Sequence, residues 1–283
     1  MVRYWPVQGP VGGDVTAGTR VTVVVPTRDS GRTIARCLAS VREQTAPVEL
    51  IVVDNASGDG TPQIAAGYAD RVLDGGPERS AQRNRGWRAG SGEIVAFVDS
   101  DMVLEPAVIE QAVALFDADP GLGALVIPEL SFGRGVFAAC RAAEKRSYLG
   151  DASVEAARIF RRSVLRATGG YDEDLSAFED WDLADRAAAS GARIGRVEAR
   201  VWHDEGRITL RAAYRKRRYY GRWLPVYRGR ATARRLGRSR AALRLALRAP
   251  WCLPGLALLK AAEAAGLVAG ARDPARPSDT LRG

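Results

Sequence analysis

Cysteine is scarce in this 283-residue sequence, which contains only Cys37, Cys140 and Cys252. The three lie far apart and form no C-x-x-C pair, so neither a disulfide framework nor a cysteine-based zinc cluster is indicated, and a reducing compartment is expected. Residues 1–19 lack a basic start followed by an apolar run, so we interpret them as an N-terminal leader segment and not as a secretion signal. These absences favour a protein of the cytoplasm.

Acidic residues are scarce in the last part of the chain. Residues 206–283 contain 19 lysines and arginines against three acids, a net charge of +16, whereas the preceding 205 residues have a net charge of −7. An acidic body repels phosphate backbones, so the sequence does not predict a nucleic-acid partner. Hydrophobic residues make up 46% of the chain, which is enough for a core and excludes a wholly disordered protein.

Short apolar runs alternate with helix-like stretches from residue 20 onward. The runs at 21–25, 50–53 and 94–98 are nearly continuous, which is typical of strands buried on both faces of a parallel sheet. The pattern predicts an α/β fold over residues 20–205, with a mostly parallel sheet and helices on both faces. Residues 206–283 are predicted to form a basic C-terminal helical extension.

Polar residues follow three of the predicted strands. Thr27 and Asp29 follow the first strand, Asp54 follows the second, and Asp99 and Asp101 follow the third. The carboxyl ends of parallel strands meet at one edge of the sheet, where ligands bind, and clustered carboxylates need a compensating cation. Carboxylate oxygens suit Mg²⁺ or Mn²⁺. Any one of these acids could instead be a helix cap or a turn residue, so the prediction depends on their convergence.

Seven short motifs follow one another along the chain. They are VVVPT (23–27), IVVDNASGDGT (51–61), RNRG (83–86), AGSG (89–92), FVDSD (97–101), GGYD (169–172) and FEDWDL (178–183). In these motifs and their order the sequence resembles the GT-A-fold glycosyltransferases of family 2, which are inverting enzymes that use nucleotide sugars. The resemblance implies a Rossmann-like GT-A sheet.

The resemblance implies a nucleotide-sugar site with a divalent metal ion, Mn²⁺ or Mg²⁺. In the family, the loop after the first strand and the acid after the second hold the base and ribose, and the D-x-D acids serve the ribose and the metal. Arg79 and Arg83, one helical turn apart, could reach the base or diphosphate, or could lie on a solvated helix face. The expected donor-binding residues are Pro26, Thr27, Asp29, Asp54, Arg79, Arg83 and Asp99, and the expected metal ligands are Asp99, Asp101 and His203.

His203 is the only histidine in the chain. A lone histidine is more often structural than a ligand. His203 nevertheless follows a strand-like segment and comes 23 residues after Asp180, where many family members carry a metal-ligating histidine. The resemblance therefore implies that it completes a mixed nitrogen and oxygen metal site.

The catalytic base is expected in the FEDWDL segment. Family members place a carboxylate of an acidic pair beside the acceptor hydroxyl, and here the pair is Glu179 and Asp180, with Asp180 the better match. Trp181 could line the acceptor site, because sugars stack on aromatic rings, or could belong to the core. Asp182 and Asp185 are expected on the exposed face of the helix.

The resemblance predicts transfer of a sugar from a UDP-, GDP- or dTDP-linked donor to a hydroxyl acceptor. Many family members act on lipid-linked or cell-envelope acceptors. Two alternatives stay open, namely a non-catalytic module that binds nucleotide sugars or anionic lipids, and a nucleotidyltransferase. The latter is disfavoured because residues 26–31 lack a glycine-rich phosphate loop.

Arginines and aromatic residues are interleaved in the C-terminal region. This composition suits an anionic surface, which could be the inner face of the cell membrane or a phosphate-rich ligand. Residues 249–270 are apolar but contain Pro250, Pro254, Lys260 and Glu263, which predicts a poor membrane-spanning helix. The alternative is a helical subdomain packed on the catalytic core.

Overall fold

A computed structural model describes residues 19–76, 78–151, 154–228, 245 and 247–273 of the chain. The strands are β1 (Val21–Thr27), β2 (Glu49–Asp54), β3 (Arg71–Asp74), β4 (Ile94–Phe97), β5 (Met102–Leu104), β6 (Leu122–Val126), β7 (Glu129–Arg134), β8 (Ala157–Arg161), β9 (Arg193–Arg196) and β10 (Val201–Arg207). The helices are α1 (Ile34–Arg42), α2 (Thr61–Ala66), α3 (Arg79–Ala89), α4 (Val108–Ala118), α5 (Val136–Tyr148), α6 (Arg162–Thr168), α7 (Glu179–Ala189), α8 (Leu210–Gly221), α9 (Leu224–Arg228) and α10 (Leu253–Ala271).

The main sheet has seven strands in the order β3-β2-β1-β4-β8-β6-β9. Strand β8 is antiparallel to both of its neighbours, and the other paired strands run parallel. The prediction of a mostly parallel α/β sheet is therefore confirmed. The single antiparallel strand was not foreseen, because an apolar run does not reveal the direction of a strand.

Helices cover both faces of this sheet, as predicted. Val23 and Val25 of β1 belong to one apolar cluster, which includes residues of α1 and α4. Val24, between them, belongs to a second cluster with residues of α3, α6 and α7. Because side chains alternate along a strand, a run buried on both faces must be apolar at every position, which explains the unbroken valines.

A smaller sheet in the order β5-β10-β7 lies beyond β4. In this sheet, β10 is antiparallel to β5, and His203 pairs with Met102. This register brings the only histidine beside Asp101, 102 positions earlier in the chain. Strand β10 continues to Arg207, two residues past the boundary expected after residue 205.

The C-terminal helices pack against the body of the chain. A Cβ added at Gly266 of α10 would lie 2.3 Å from the Tyr214 carbonyl oxygen of α8, and one at Gly270 would lie 2.1 Å from that of Arg218, so both helices approach at backbone distance. A basic C-terminal helical extension is confirmed for the described part. Arg230, Arg234, Arg235, Arg238 and Arg240 lie outside the described residues.

The prolines of this region do not interrupt its helix, contrary to the sequence-based interpretation. Pro250 begins a 3-10 turn, and Pro254 lies in the first turn of α10, where no intrahelical hydrogen bond is lost. Among the described residues, the segment Pro250–Ala271 is the one helix long and apolar enough to cross a membrane by length and composition, with a mean hydropathy of 1.5.

Candidate active site

Two loops at the carboxyl ends of β1 and β2 are joined by hydrogen bonds. Asp54 accepts bonds from the Ser57 hydroxyl (2.6 Å) and backbone amide (2.9 Å). The Asp29 amide donates to the Ser57 hydroxyl (2.8 Å), and its carboxylate accepts from the Gly58 amide (3.0 Å). The structure thus brings together the two acids expected to bind the base and ribose. Asp54 is buried and organises the loop, whereas Asp29 is exposed to an incoming ligand.

Pro26 and Thr27 are buried at the end of β1. The Thr27 carbonyl accepts a bond from the Gln82 side chain (2.8 Å), which also donates to the Val53 carbonyl (2.7 Å). Gln82 therefore fixes the ends of β1 and β2 relative to each other, a role that its sequence context did not indicate. The Thr27 hydroxyl is buried and has no hydrogen-bond partner among the described residues.

Arg83 lies at the centre of a buried ionic cluster. Its guanidinium contacts Asp99 (2.7 Å), Asp180 (3.0 Å) and Glu179 (3.2 Å), and its side chain is 0% exposed. Arg79 reaches the same Glu179 carboxylate at 3.3 Å. A solvated helix face is thereby excluded for Arg83. Burial alone would lower the pKa of Arg83, but the surrounding carboxylates hold it well above the usual range.

Asp99 is held by two arginines. Besides Arg83, Arg158 of β8 donates to its second carboxylate oxygen at 3.2 Å. Burial would raise the pKa of Asp99, but Arg83 and Arg158 hold it well below the usual range. Both oxygens of this expected metal ligand are therefore already bound by guanidinium groups.

Asp180 occupies the first turn of α7 and faces the same cluster. Its Oδ1 atom accepts bonds from Arg83 and from the buried Tyr171 hydroxyl at 3.1 Å. Its Oδ2 atom has no hydrogen-bond partner among the described residues, since both of the bonds found for this side chain involve Oδ1. One oxygen is thus fixed and the other is available to accept a proton.

Asp101 and His203 lie side by side, with 3.1 Å between Oδ2 and Nε2. The other ring nitrogen of His203 is 2.9 Å from Glu129, which also pairs with Lys145. Burial would lower the pKa of His203, but the hydrogen bonds to Asp101 and Glu129 raise it to about 9. Glu129 orients the imidazole in the manner of a carboxylate behind a metal-bound histidine, and nothing in the sequence pointed to it.

The donor set at this point fits a divalent ion only in part. A search of the described residues finds no group of three or more histidine, cysteine, aspartate or glutamate side chains able to hold a metal. Asp101 and His203 supply one carboxylate and one imidazole, and the Asp101 side chain is 40% exposed. Mg²⁺ and Mn²⁺ commonly keep phosphate and water ligands, so two protein ligands are compatible with such an ion.

A cavity of about 400 Å³ adjoins these groups. Its lining includes Asp99, Asp180, Trp181 and His203, but not the loop residues around Asp29 and Asp54. Trp181 lines the cavity and packs near Phe178, and its Nε1 donates to the Val154 carbonyl (3.0 Å). The base of a donor would therefore lie outside this cavity.

Asp182 is not on an exposed helix face, so that expectation was wrong. It is buried and pairs with Arg186 one turn later (2.7 Å). Arg186 also donates to the carbonyls of Thr168 and Gly170. The pair ties α7 to the turn after α6, since a buried carboxylate requires such a partner. Asp185 is half-buried.

Known proteins share this fold. The structure is similar to the mannosyltransferase PcManGT from Pyrobaculum calidifontis in complex with GDP-Man and Mn²⁺, with 25% identity and a TM-score of 0.54 over 98% of this chain and 82% of the other. It also resembles S. aureus TarS, with 23% identity and a TM-score of 0.53 over 72% of this chain and 39% of that protein. The fold is therefore of the GT-A type.

Sequence comparison gives the family. Residues 22–139 match Glycosyl transferase family 2. The pre-mycofactocin glycosyltransferase of Mycobacterium tuberculosis is 32% identical over 240 residues, which cover 76% of this chain and 48% of that protein. The O-antigen chain rhamnosyltransferase WbaN of Salmonella anatum is 27% identical over 209 residues. Residues 22–139 therefore belong to glycosyl transferase family 2, and the chain spans about half the length of the M. tuberculosis relative.

Replacing Arg83 tests the ionic cluster. We expect Arg83→Met to lower the free energy of unfolding by about 3–5 kcal/mol, because three partly buried carboxylates would lose their common cation. The matched control on the same helix is Arg88→Met, whose exposed pair with Glu173 (3.5 Å) should contribute less than about 1 kcal/mol. Urea unfolding followed by circular dichroism measures both, and equal losses in the two variants would contradict the central role of Arg83.

Proposed function

We propose that the chain transfers a sugar from a nucleoside-diphosphate donor to a hydroxyl acceptor with inversion at the anomeric carbon. The observation that carries the proposal is the cavity shared by Asp180, Asp99 and His203, in which Asp180 keeps one carboxylate oxygen available. The likeness to a mannosyltransferase that binds GDP-Man and Mn²⁺ supports the donor class and the metal.

The donor is proposed to lie across the carboxyl ends of the strands. Pro26, Thr27, Asp29 and Asp54 would receive the base and ribose, and the partnerless Thr27 hydroxyl is a buried polar atom that a ligand could satisfy. Asp99 would contact the ribose while held by Arg83 and Arg158. Asp101 and His203 would hold the divalent ion, which when bound neutralises charge on the departing diphosphate.

Asp180 is proposed as the general base. The acceptor hydroxyl would pass its proton to Oδ2 as its oxygen attacks the anomeric carbon. The bond between that carbon and the diphosphate oxygen would break on the opposite face, and the diphosphate would leave with the electron pair. Because this is a single displacement, the configuration inverts. Glu179 is bound to Arg79 and Arg83, so its proposed role is to position those cations.

Membrane association is proposed to occur through α10 and the turn before it. Trp251, Leu253 and Leu258 are 63%, 39% and 56% exposed. Helix α8, which packs against α10, is rich in basic residues. Glu263 pairs with Arg141 of α5, which ties the middle of α10 to the fold. A helix held in this way is suited to lying on an anionic inner membrane surface.

Two variants should fail at different steps. After a thermal-shift screen of UDP-, GDP- and dTDP-sugars with Mn²⁺ has identified the donor, we expect Asp180→Asn to bind it normally but to turn it over about 10²–10⁴-fold more slowly. His203→Ala should weaken donor binding about tenfold in Mn²⁺, but not in EDTA, because only the metal-assisted part is lost.

Donor binding by calorimetry and release of the nucleoside diphosphate measure the two effects. Normal turnover by Asp180→Asn would refute the assignment of the base. Metal-dependent donor binding without any turnover by the unaltered protein would favour the non-catalytic module.

Vesicle sedimentation tests the membrane proposal. The protein should bind vesicles that contain anionic lipid at low salt and release them at high salt, because the attraction of basic residues is screened. Trp251→Ser should reduce binding at low salt, since it removes an exposed aromatic ring. Absence of binding at both would refute the proposal.

A further inference from the structure

Helix α8 forms one wall of the cavity. The side chains that it contributes recur at helical spacing and comprise Ala212, Ala213, Lys216, Arg217 and Tyr220. The two alanines leave space at the start of this face, and the basic side chains follow one turn later. The cavity therefore has one wall that is both open and positively charged.

Most charges around the cavity are paired within the protein. The lining contains seven lysines and arginines and five carboxylates. Five of the cations contact a carboxylate, in the pairs Arg79 with Glu179, Arg158 with Asp99, Arg141 and Arg217 with Glu263, and Lys145 with Glu205.

Arg207 and Lys216 are the exceptions. Neither has a carboxylate within 4.0 Å in the part of the chain that the structure describes, and the Lys216 ammonium lies 5.9 Å from the Tyr220 ring centroid. Glu205, two residues before Arg207, is bound by Lys145 at 2.9 Å and by Ser131 at 3.3 Å. The acid nearest in sequence is therefore already used.

Arg207 lies further along β10 than the expected position of the donor diphosphate, which is next to His203. His203, Glu205 and Arg207 of β10 all line the cavity. At about 3.3 Å per residue, Arg207 begins roughly 13 Å along the strand from His203, less a small reduction for the irregularity there. A divalent ion at Asp101 and His203 would by itself balance the two charges of a diphosphate. The surplus at Arg207 and Lys216 thus matches a second anion.

We propose that Arg207 and Lys216 form a subsite for a phosphate group on the acceptor, which places the hydroxyl of the acceptor within the same cavity as Asp180. The inference rests on the proposed function and specifies its acceptor as a phosphate ester. A guanidinium presents paired donors to a phosphate and an ammonium adds a compact charge, so the two together recognise such a group. The phosphate can belong to a soluble ester or to a lipid headgroup.

The test uses glycerol 1-phosphate, with glycerol as the uncharged comparison. Calorimetry is carried out with Mn²⁺ and saturating nucleoside diphosphate, so that the donor site is filled. We expect glycerol 1-phosphate to bind and glycerol not to bind. The double variant Arg207→Gln/Lys216→Gln should weaken this binding about tenfold or more. The control double variant Arg211→Gln/Arg215→Gln also removes two positive charges, from positions on α8 that do not line the cavity. It should alter binding less than about twofold.

A second arm separates the two sources of phosphate. Vesicles of phosphatidylcholine with phosphatidic acid are compared with phosphatidylcholine alone, using the same variants. We call Arg207→Gln/Lys216→Gln the cavity pair and Arg211→Gln/Arg215→Gln the control pair. A greater loss of binding for the cavity pair than for the control pair, in either arm, supports the subsite. The arm in which this loss occurs identifies the source of the phosphate. The inference is overturned if neither probe binds, if the cavity pair binds as the unaltered protein does, or if nucleoside diphosphate displaces the probe.

The phosphate-binding test and the test of the proposed function can fail separately. Nucleoside-diphosphate binding is recorded separately for each variant and should not change in the cavity pair. If no nucleotide binds, the transferase proposal fails, and titration of the protein alone still decides whether the cavity pair binds phosphate. If nucleotide binds and turnover depends on Asp180 while phosphate does not bind, only the subsite is refuted.

Discussion

The buried guanidinium of Arg83 is the contact on which the arrangement of the site depends. It joins Asp99 at the end of β4 to Glu179 and Asp180 at the start of α7, two elements that are 80 residues apart in the chain. Three carboxylates so close together would repel one another without a shared cation. The same contact fixes Oδ1 of Asp180, and in this way a single side chain both compensates the charge and orients the proposed base.

The sequence was most informative where strands and motifs coincide. Unbroken apolar runs identified β1, β2 and β4, because a strand covered on both faces has no polar side. Of the acids that follow them, Asp29 and Asp54 lie in loops joined by hydrogen bonds. The pairing of His203 with Asp101 followed from family resemblance alone, since no spacing rule connects positions 102 residues apart. It depends on the register of β10 against β5, which is a property of the folded sheet.

Other parts of the site could not be anticipated. Gln82, Glu129, Lys145 and Arg158 come from four separate elements, and none belongs to a recognisable motif. Arg83 lies on a helix that is polar in composition, so its burial is decided by the carboxylates opposite it and not by hydrophobic periodicity. Pro250 and Pro254 were misinterpreted for a similar reason, because their effect depends on where the helix begins.

The close approach of α8 and α10 makes both helices part of the wall around the cavity. Gly266 and Gly270 allow the two backbones to touch, and α8 in turn supplies one side of the cavity. A fragment ending after β10 would thus keep the loops around Asp29 and Asp54 but leave the cavity open to bulk water. Under the proposed function, substitutions in α8 or α10 would therefore reshape one wall of the cavity without altering a residue of the loops around Asp29 and Asp54.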